Sequence, residues 1–161
     1  MNPTETSDHI EITGLLARYA WAIDGRQPDL FAKVFTVDID ADYGPFGSFS
    51  DLDTLSTRFD EYHAQFATTQ HLISNAFIEL DGDTATCRSY FQATMVYVEA
   101  PGAEVDMLTE GRSFRGGGYY EDELVRMPEG WRIAKRACVG AWFKPAPELV
   151  YPSVEGLASS D

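Results

Sequence analysis

Apolar residues in the first third of the chain recur at helical spacing. Between residues 8 and 24 they are three or four positions apart, and Gly25 follows as a stop signal. Residues 1–8 are predicted to be a frayed start, with Ser7 or Asp8 as the N-cap. The further elements predicted in this third are a short helix from Pro28, a strand at residues 37–43, a turn at 44–47 and a helix at 51–66.

After residue 70 the pattern changes to alternation of apolar and polar positions, which is typical of strands. Asp81-Gly82 and Pro128-Glu129-Gly130 are turn signals between the predicted strands. Three consecutive glycines at 116–118 predict a bulge or a sharp bend where the sheet curls. The predicted strands are residues 71–80, 84–98, 107–126 and 131–142, with a loop at 100–103 and an extended tail from Lys144.

Helices followed by a bent antiparallel sheet predict the α+β class. The expected form is a cone-shaped α+β barrel, with N-terminal helices packed across a strongly curved, mostly antiparallel sheet. The whole chain, residues 1–161, is predicted to be one domain with a core at about 8–143 and a C-terminal tail at 144–161. The open end of such a cone is a natural place for a ligand pocket.

Charge and composition narrow the classes of partner. Acidic residues outnumber basic ones by 26 to 12, a net charge of −14, which argues against nucleic acid and anionic membranes. The first 25 residues contain no basic segment followed by an apolar run, and no stretch approaches roughly 18 apolar residues. Cys87 and Cys138 lie in apolar segments, as buried free thiols do. A cytoplasmic protein with no membrane segment is therefore predicted.

A metal or cofactor site is not predicted. Asp38, Asp40, Asp42 and Gly44 resemble a calcium loop, but the glycine comes one place late and the twelfth position is Phe49. The motifs HExxH, CxxC, GxGxxG and GxSxG do not occur.

The candidate chemistry begins with Asp24 and His71. Asp24 ends the first predicted helix, where the helix dipole disfavours a carboxylate. If it turns inward, it needs a donor or a cation as partner. An Asp–imidazole pair would fix the ring tautomer and make a general base without metal or cofactor.

Several short motifs, in this order and spacing, resemble the SnoaL-like branch of the nuclear-transport-factor-like superfamily over residues 8–143. They are Arg18-Tyr19-Ala20 with Ile23-Asp24, Gln70-His71 with Asn75, residues 117–123, and Trp131 with Arg136. This group includes scytalone dehydratase, hexachlorocyclohexane dehydrochlorinase, bile-acid dehydratase and polyketide cyclases.

The resemblance implies a set of catalytic residues. Elimination enzymes of the group use an Asp–His dyad at the positions of Asp24 and His71, and the dehydrochlorinase has an arginine at the position of Arg136. The bile-acid dehydratase has a tyrosine at the position of Tyr19, which favours a hydroxyl leaving group. Physically, His71 would remove a proton from a carbon next to an activating group, and Arg136 would stabilise the developing negative charge. Tyr19 would donate to the departing oxygen or to a carbonyl. The alternatives are an ordinary ion pair for Arg136 and a place in the core for Tyr19.

The function implied is a cofactor-independent, dehydratase-like lyase acting on a small apolar organic ligand. The alternatives are an isomerase or polyketide cyclase that uses the same base, and a non-catalytic binding or assembly subunit. A homo-oligomer, trimer or dimer, is expected by the same resemblance. The aromatic content favours a polycyclic substrate, and the predicted substrate-binding residues are Trp21, Phe31, Phe35, Phe46, Phe59, His63, Asn75, Phe91, Met95, Tyr97 and Phe114.

Overall fold

The computed structural model describes residues 2–98 and 113–145. The helices are α1 (Pro3–Asp24), α2 (Pro28–Phe31) and α3 (Leu52–His63), with a 3-10 turn at Gly44–Phe46. The strands are β1 (Phe35–Asp42), β2 (Ser48–Phe49), β3 (Phe66–Asp81), β4 (Thr84–Tyr97), β5 (Ser113–Met127) and β6 (Gly130–Pro145). Within the described ranges, no helix combines the length and the apolar character that a bilayer crossing requires.

The six strands form one sheet in the order β2-β1-β6-β5-β4-β3. Neighbouring strands are antiparallel, except that β1 runs parallel to β6. The helix α1 packs on β3 and β6, and α3 packs on β1 and β2. The helices therefore cover one side of a mostly antiparallel sheet, and the predicted cone-like α+β fold is confirmed.

The glycine run lies at a β-bulge, one of the two features that the sequence predicted there. The register between β5 and β6 shifts between Gly117 and Gly118, so that Ala141 is the extra residue of a bulge. A Cβ at Gly118 would lie 2.0 Å from the carbonyl oxygen of Val139. Because backbone cannot move aside at that distance, only glycine fits there.

The start of α1 differs from the prediction. Asn2 is the N-cap, and it exchanges hydrogen bonds with Glu5 in a capping box, so the helix begins five residues earlier than Asp8. Asp8 is instead buried and accepts hydrogen bonds from Arg126 at 2.7 Å and from Trp131 Nε1 at 3.1 Å. A buried carboxylate with these partners ties α1 to the far end of the sheet.

Three other boundaries move by a few residues. The helix α3 ends at His63 rather than at 66, and β3 begins at Phe66 rather than at 71. The strand β6 runs to Pro145, so Lys144 belongs to the strand and not to the predicted tail. The predicted loop at 100–103, the strand residues 107–112 and the tail from 146 lie outside the described residues.

Candidate active site

A cavity of about 580 Å³ lies between α1, α3 and the inner face of the sheet. Its volume is in the range that suits a drug-sized ligand. Phe46 and Phe143 are 43% and 54% exposed and lie on its wall, so they mark the end of the cavity that reaches the surface. The wall is largely aromatic, and His71 is one of its few polar groups.

Asp24 and His71 meet at this wall. His71 Nδ1 lies 2.7 Å from Asp24 Oδ1, and the His71 backbone N–H donates to Asp24 Oδ2 at 2.8 Å. The Thr69 hydroxyl donates to Asp24 Oδ1 at 2.9 Å. Thr69 and His71 are two residues apart on β3, so both side chains point to the same face of the sheet, toward the end of α1.

These bonds determine the charge and the tautomer of the pair. Burial would raise the pKa of Asp24, but the donors from His71 and Thr69 outweigh it and hold that pKa below its ordinary value. A carboxylate can only accept, so His71 Nδ1 carries the proton that points at Asp24. With the proton on Nδ1, Nε2 carries a lone pair, and the ring lies on the cavity wall where a bound molecule can meet it.

Tyr19 and Tyr43 supply hydroxyls to the same cavity. Their oxygens are 3.1 Å apart, and both residues line the cavity together with Tyr120. Burial raises the pKa of Tyr19 and of Tyr43 well above the ordinary tyrosine value. Both stay protonated near neutral pH, so they can donate hydrogen bonds. Tyr19 is also a core residue, 1% exposed. Its position therefore suits both roles considered for it, a hydrogen-bond donor in the cavity and a member of the core.

Arg136 was expected to contact the ligand, but it does not line the cavity. Its side chain is fully buried and forms two hydrogen bonds of 2.7 Å with Asp122. The guanidinium carbon lies 4.1 Å from the ring centroids of both Tyr19 and Tyr120. Arg136 therefore lies behind these rings rather than on the cavity wall, and the alternative of an ion pair describes it correctly.

His63 is the second histidine of the cavity wall. Its Nδ1 lies 2.7 Å from the carbonyl oxygen of Phe59, so Nδ1 is the protonated nitrogen. Burial lowers the pKa of His63, and the ring is neutral near pH 7. Its ring centroid is 6.2 Å from that of His71, and Nε2 has no partner among the described residues.

The remaining residues predicted to bind substrate fall into two groups. Six of them line the cavity: Phe46, Phe59, His63, Phe91, Met95 and Phe114. The other five do not line it: Trp21, Phe31, Phe35, Asn75 and Tyr97.

Each of the five has a local reason. Trp21 is on the outer side of α1 and is 71% exposed. Phe31 and Phe35 stack on each other in the core beneath Tyr19. Asn75 is at a bulge of β3 with φ +54, which turns it outward, and Tyr97 packs on Phe66 and Phe114 beside the cavity.

The predicted site residues also left out fifteen residues of the cavity wall. Tyr62 shares the inner side of α3 with Phe59 and His63, and its helical spacing is the signal that would have found it. Tyr43 comes at the end of a predicted strand and offers no such signal. The other missed residues that bear a ring, a charge or a thiol are Phe49, Arg58, Glu61, Tyr120, Cys138 and Phe143.

Neither a metal centre nor a reactive thiol is assembled within residues 2–98 and 113–145. These residues contain no group of three or more His, Cys, Asp or Glu side chains that could hold a metal ion. Burial raises the pKa of the Cys138 thiol to about 11, so it is protonated and a poor nucleophile near neutral pH.

A sequence model of the SnoaL-like domain family matches residues 4–137 of the chain. The match covers most of the chain, so the protein belongs to the SnoaL-like family, and the resemblance read from its motifs is confirmed. Members of this family bind small hydrophobic ligands and are often oligomeric.

Individual relatives give the same picture. An uncharacterized protein of Mycobacterium tuberculosis is 33% identical over 140 residues, which cover 84% of this chain and 87% of the relative. A candidate scytalone dehydratase from Novosphingobium aromaticivorans has a TM-score of 0.76 at 20% identity, covering 90% of this chain and 91% of that one. A hexachlorocyclohexane dehydrochlorinase from Novosphingobium barchaimii has a TM-score of 0.73 at 16% identity, covering 92% and 96%. At these identities the two solved structures establish a shared fold.

Proposed function

We propose that the protein is a cofactor-independent lyase that eliminates water from an apolar, ring-containing small molecule. The observation that carries this proposal is the pair of Asp24 and His71, joined at 2.7 Å on the wall of an aromatic cavity of about 580 Å³. Two structural neighbours whose names denote a dehydratase and a dehydrochlorinase support an elimination.

The proposed reaction starts at the free nitrogen of His71. Nε2 takes a proton from a carbon next to a carbonyl group, and the C–H electron pair forms an enolate. The enolate collapses to a carbon–carbon double bond as the C–O bond at the β-carbon breaks. The departing hydroxide receives a proton from the His71 imidazolium and leaves as water, so the ring returns to its starting state.

The other polar groups of the cavity fit supporting roles in this proposal. Asp24 stabilises the imidazolium that forms and keeps the ring in the tautomer with Nε2 free. Tyr19 and Tyr43 are hydrogen-bonded to each other, so one of the two hydroxyls donates to the other, and the second donates to the carbonyl oxygen as negative charge develops there. Arg136 acts through the rings of Tyr19 and Tyr120, against which it packs, without touching the substrate.

The proposal is tested with a panel of bicyclic and tricyclic β-hydroxy ketones, followed by mass spectrometry. We expect the wild-type protein to convert one or more of them to a product lighter by one water. His71→Ala and Asp24→Asn should each lower turnover by about 10³-fold or more while the protein stays folded. Trp21→Ala, on the outer side of α1, is the matched control and should leave turnover unchanged.

Other outcomes of the same assay separate the alternatives. A product of unchanged mass, lost in His71→Ala, indicates an isomerase or a cyclase with the same base. Retained turnover in folded His71→Ala protein overturns the assignment of the base. Tight binding of the panel without any product favours a non-catalytic binding subunit.

A further inference from the structure

His63 brings a buried nitrogen atom to the wall of the cavity, and the described residues give this atom no hydrogen-bond partner. The residue is 3% exposed, and the atom is Nε2. Three other described side chains, those of Thr36, Ser89 and Arg136, have a buried atom of this kind, and none of them lines the cavity. Leaving a buried polar atom without a partner costs free energy, so most such atoms have one. His63 is therefore the place where a bound molecule gains most by supplying the missing partner.

Two contacts fix the position of this imidazole ring. Nδ1 lies 2.7 Å from the carbonyl oxygen of Phe59 in the preceding turn of α3, so Nε2 is at the tip of the ring, away from the helix backbone. The backbone carbonyl of His63 accepts a hydrogen bond from the guanidinium of Arg26, two residues after Asp24. The end of α1 therefore holds both histidines of the cavity, His71 through Asp24 and His63 through Arg26.

The tautomer of His63 decides what kind of group it can bind. Because Nδ1 carries the proton, Nε2 has a lone pair and can only accept a hydrogen bond. In the proposed elimination, the carbonyl oxygen and the departing hydroxide both gain negative charge and need donors. An acceptor serves neither of them. It suits a hydroxyl group that keeps its proton throughout the reaction.

The spacing of the two histidines limits where that hydroxyl lies on the ligand. Their ring centroids are 6.2 Å apart. A carbon that gives its proton to His71 lies about 3–3.5 Å from Nε2 of that ring, and a hydroxyl oxygen lies about 2.8 Å from its acceptor. An acidic carbon and a hydroxyl on one ring, or on two fused rings, match a spacing of this size.

We propose that His63 is a specificity-determining residue, whose Nε2 accepts a hydrogen bond from a hydroxyl group that the ligand retains. The substrate is then a ring compound with a carbonyl group, a leaving hydroxyl and a further hydroxyl that does not react. This inference deepens the proposed lyase function, because the choice of a non-reacting hydroxyl rests on it. A ligand without that hydroxyl leaves Nε2 buried and unpaired, and it binds more weakly.

The test is isothermal titration calorimetry with naphthols and phenanthrols, each compared with its methyl ether and with its parent hydrocarbon. These probes carry the hydroxyl but no leaving group, so binding is measured without turnover. We expect the wild-type protein to bind at least one of the phenols about 10-fold or more tightly than both of its analogues. His63→Phe keeps an aromatic ring but removes the acceptor, and it should reduce this preference to less than about 3-fold. His9→Phe is the matched control, because it makes the same substitution outside the cavity, and it should leave the preference unchanged.

Nitrogen NMR of ¹⁵N-histidine-labelled wild-type protein distinguishes His63 from His71, whose Nε2 is also an acceptor. The His63 Nε2 signal should move upfield when a phenol binds and should not do so with the methyl ether, because a hydrogen bond draws on the lone pair. The proposal is overturned by a phenol preference that survives in folded His63→Phe protein, or by a bound phenol that shifts the His71 signal alone. A panel in which no phenol binds more tightly than its methyl ether overturns it as well.

The assay of water loss keeps this proposal separate from the lyase assignment. If hydroxylated and methoxylated β-hydroxy ketones lose water equally well, the role of His63 is wrong while the lyase assignment stands. If the phenols are preferred through His63 but no β-hydroxy ketone loses water, His63 recognises a hydroxyl and the lyase assignment is wrong.

Discussion

Removing the carboxylate from the buried Arg136–Asp122 pair should destabilise the protein more than an ordinary point substitution. Both side chains are 0% exposed, and the guanidinium makes two hydrogen bonds of 2.7 Å with Asp122. In Asp122→Asn the shape is nearly kept, but the positive charge of Arg136 is left buried without a counter-charge. An arginine side chain does not lose its proton in proteins, so the charge stays in the buried site.

The size of the effect follows from this burial. Removing one partner of a buried ion pair costs about 3–5 kcal/mol of unfolding free energy. Domains of this size are stable by only about 5–15 kcal/mol, so the variant should lose a large part of its stability. Removing both charges in Asp122→Val with Arg136→Met should cost much less, because neither an unpaired charge nor a large cavity remains.

Urea unfolding, followed by circular dichroism at neutral pH, measures both variants. The reasoning predicts that the double variant is more stable than the single Asp122→Asn variant. A loss of less than about 1 kcal/mol for Asp122→Asn, as for a surface pair, would refute it. Equal destabilisation of the single and double variants would mean that the pair contributes packing rather than charge.

Three further predictions concern single sites. Burial lowers the pKa of His63, so the unfolded chain binds its proton first and stability falls as pH drops below about 6.5. Urea unfolding at several pH values should show a smaller loss in His63→Phe than in wild type, and an equal loss would contradict the assignment. Thr69→Val removes a donor to the Asp24 carboxylate and should cost about 1–3 kcal/mol at neutral pH, with a smaller deficit once the carboxyl is protonated. A deficit that does not change between neutral and acidic pH would show that the hydroxyl does not act on the carboxylate. Gly118→Ala should lower the Tm strongly, because its Cβ would lie 2.0 Å from a backbone oxygen. Gly14→Ala, on the exposed side of α1, is the control and should raise the Tm slightly. Similar Tm values for the two variants would refute the role of close backbone contact.

The sequence predicted the fold class and the pairing of Asp24 with His71 from different kinds of signal. Hydrophobic spacing separated the helical third from the stranded remainder, because helices and strands bury residues with different periods. The pairing rested on the cost of a carboxylate at a helix end and on the family resemblance. In the structure that cost is offset by three donors that converge from one strand.

Where the prediction of the cavity wall was wrong, the missing information was geometric. Trp21 is two residues from Tyr19, about 200° around the helix, so the two cannot share a face. Asn75 was expected to share a face with His71 and Ile73 because β3 alternates. The register of β3 shifts between Ser74 and Phe77, and no residue in the sequence signals that bulge. Arg136 was placed on the correct face, but Asp122 lies directly across from it only once β5 and β6 are in register.

The central claim is that His71, oriented by Asp24, removes a proton from carbon inside the cavity. It can be measured without knowing the natural substrate, through the exchange of the α-protons of 2-tetralone with D₂O, followed by proton NMR. The account predicts that the wild-type protein accelerates this exchange and that His71→Ala and Asp24→Asn abolish the acceleration. An acceleration that survives in folded His71→Ala protein would contradict it.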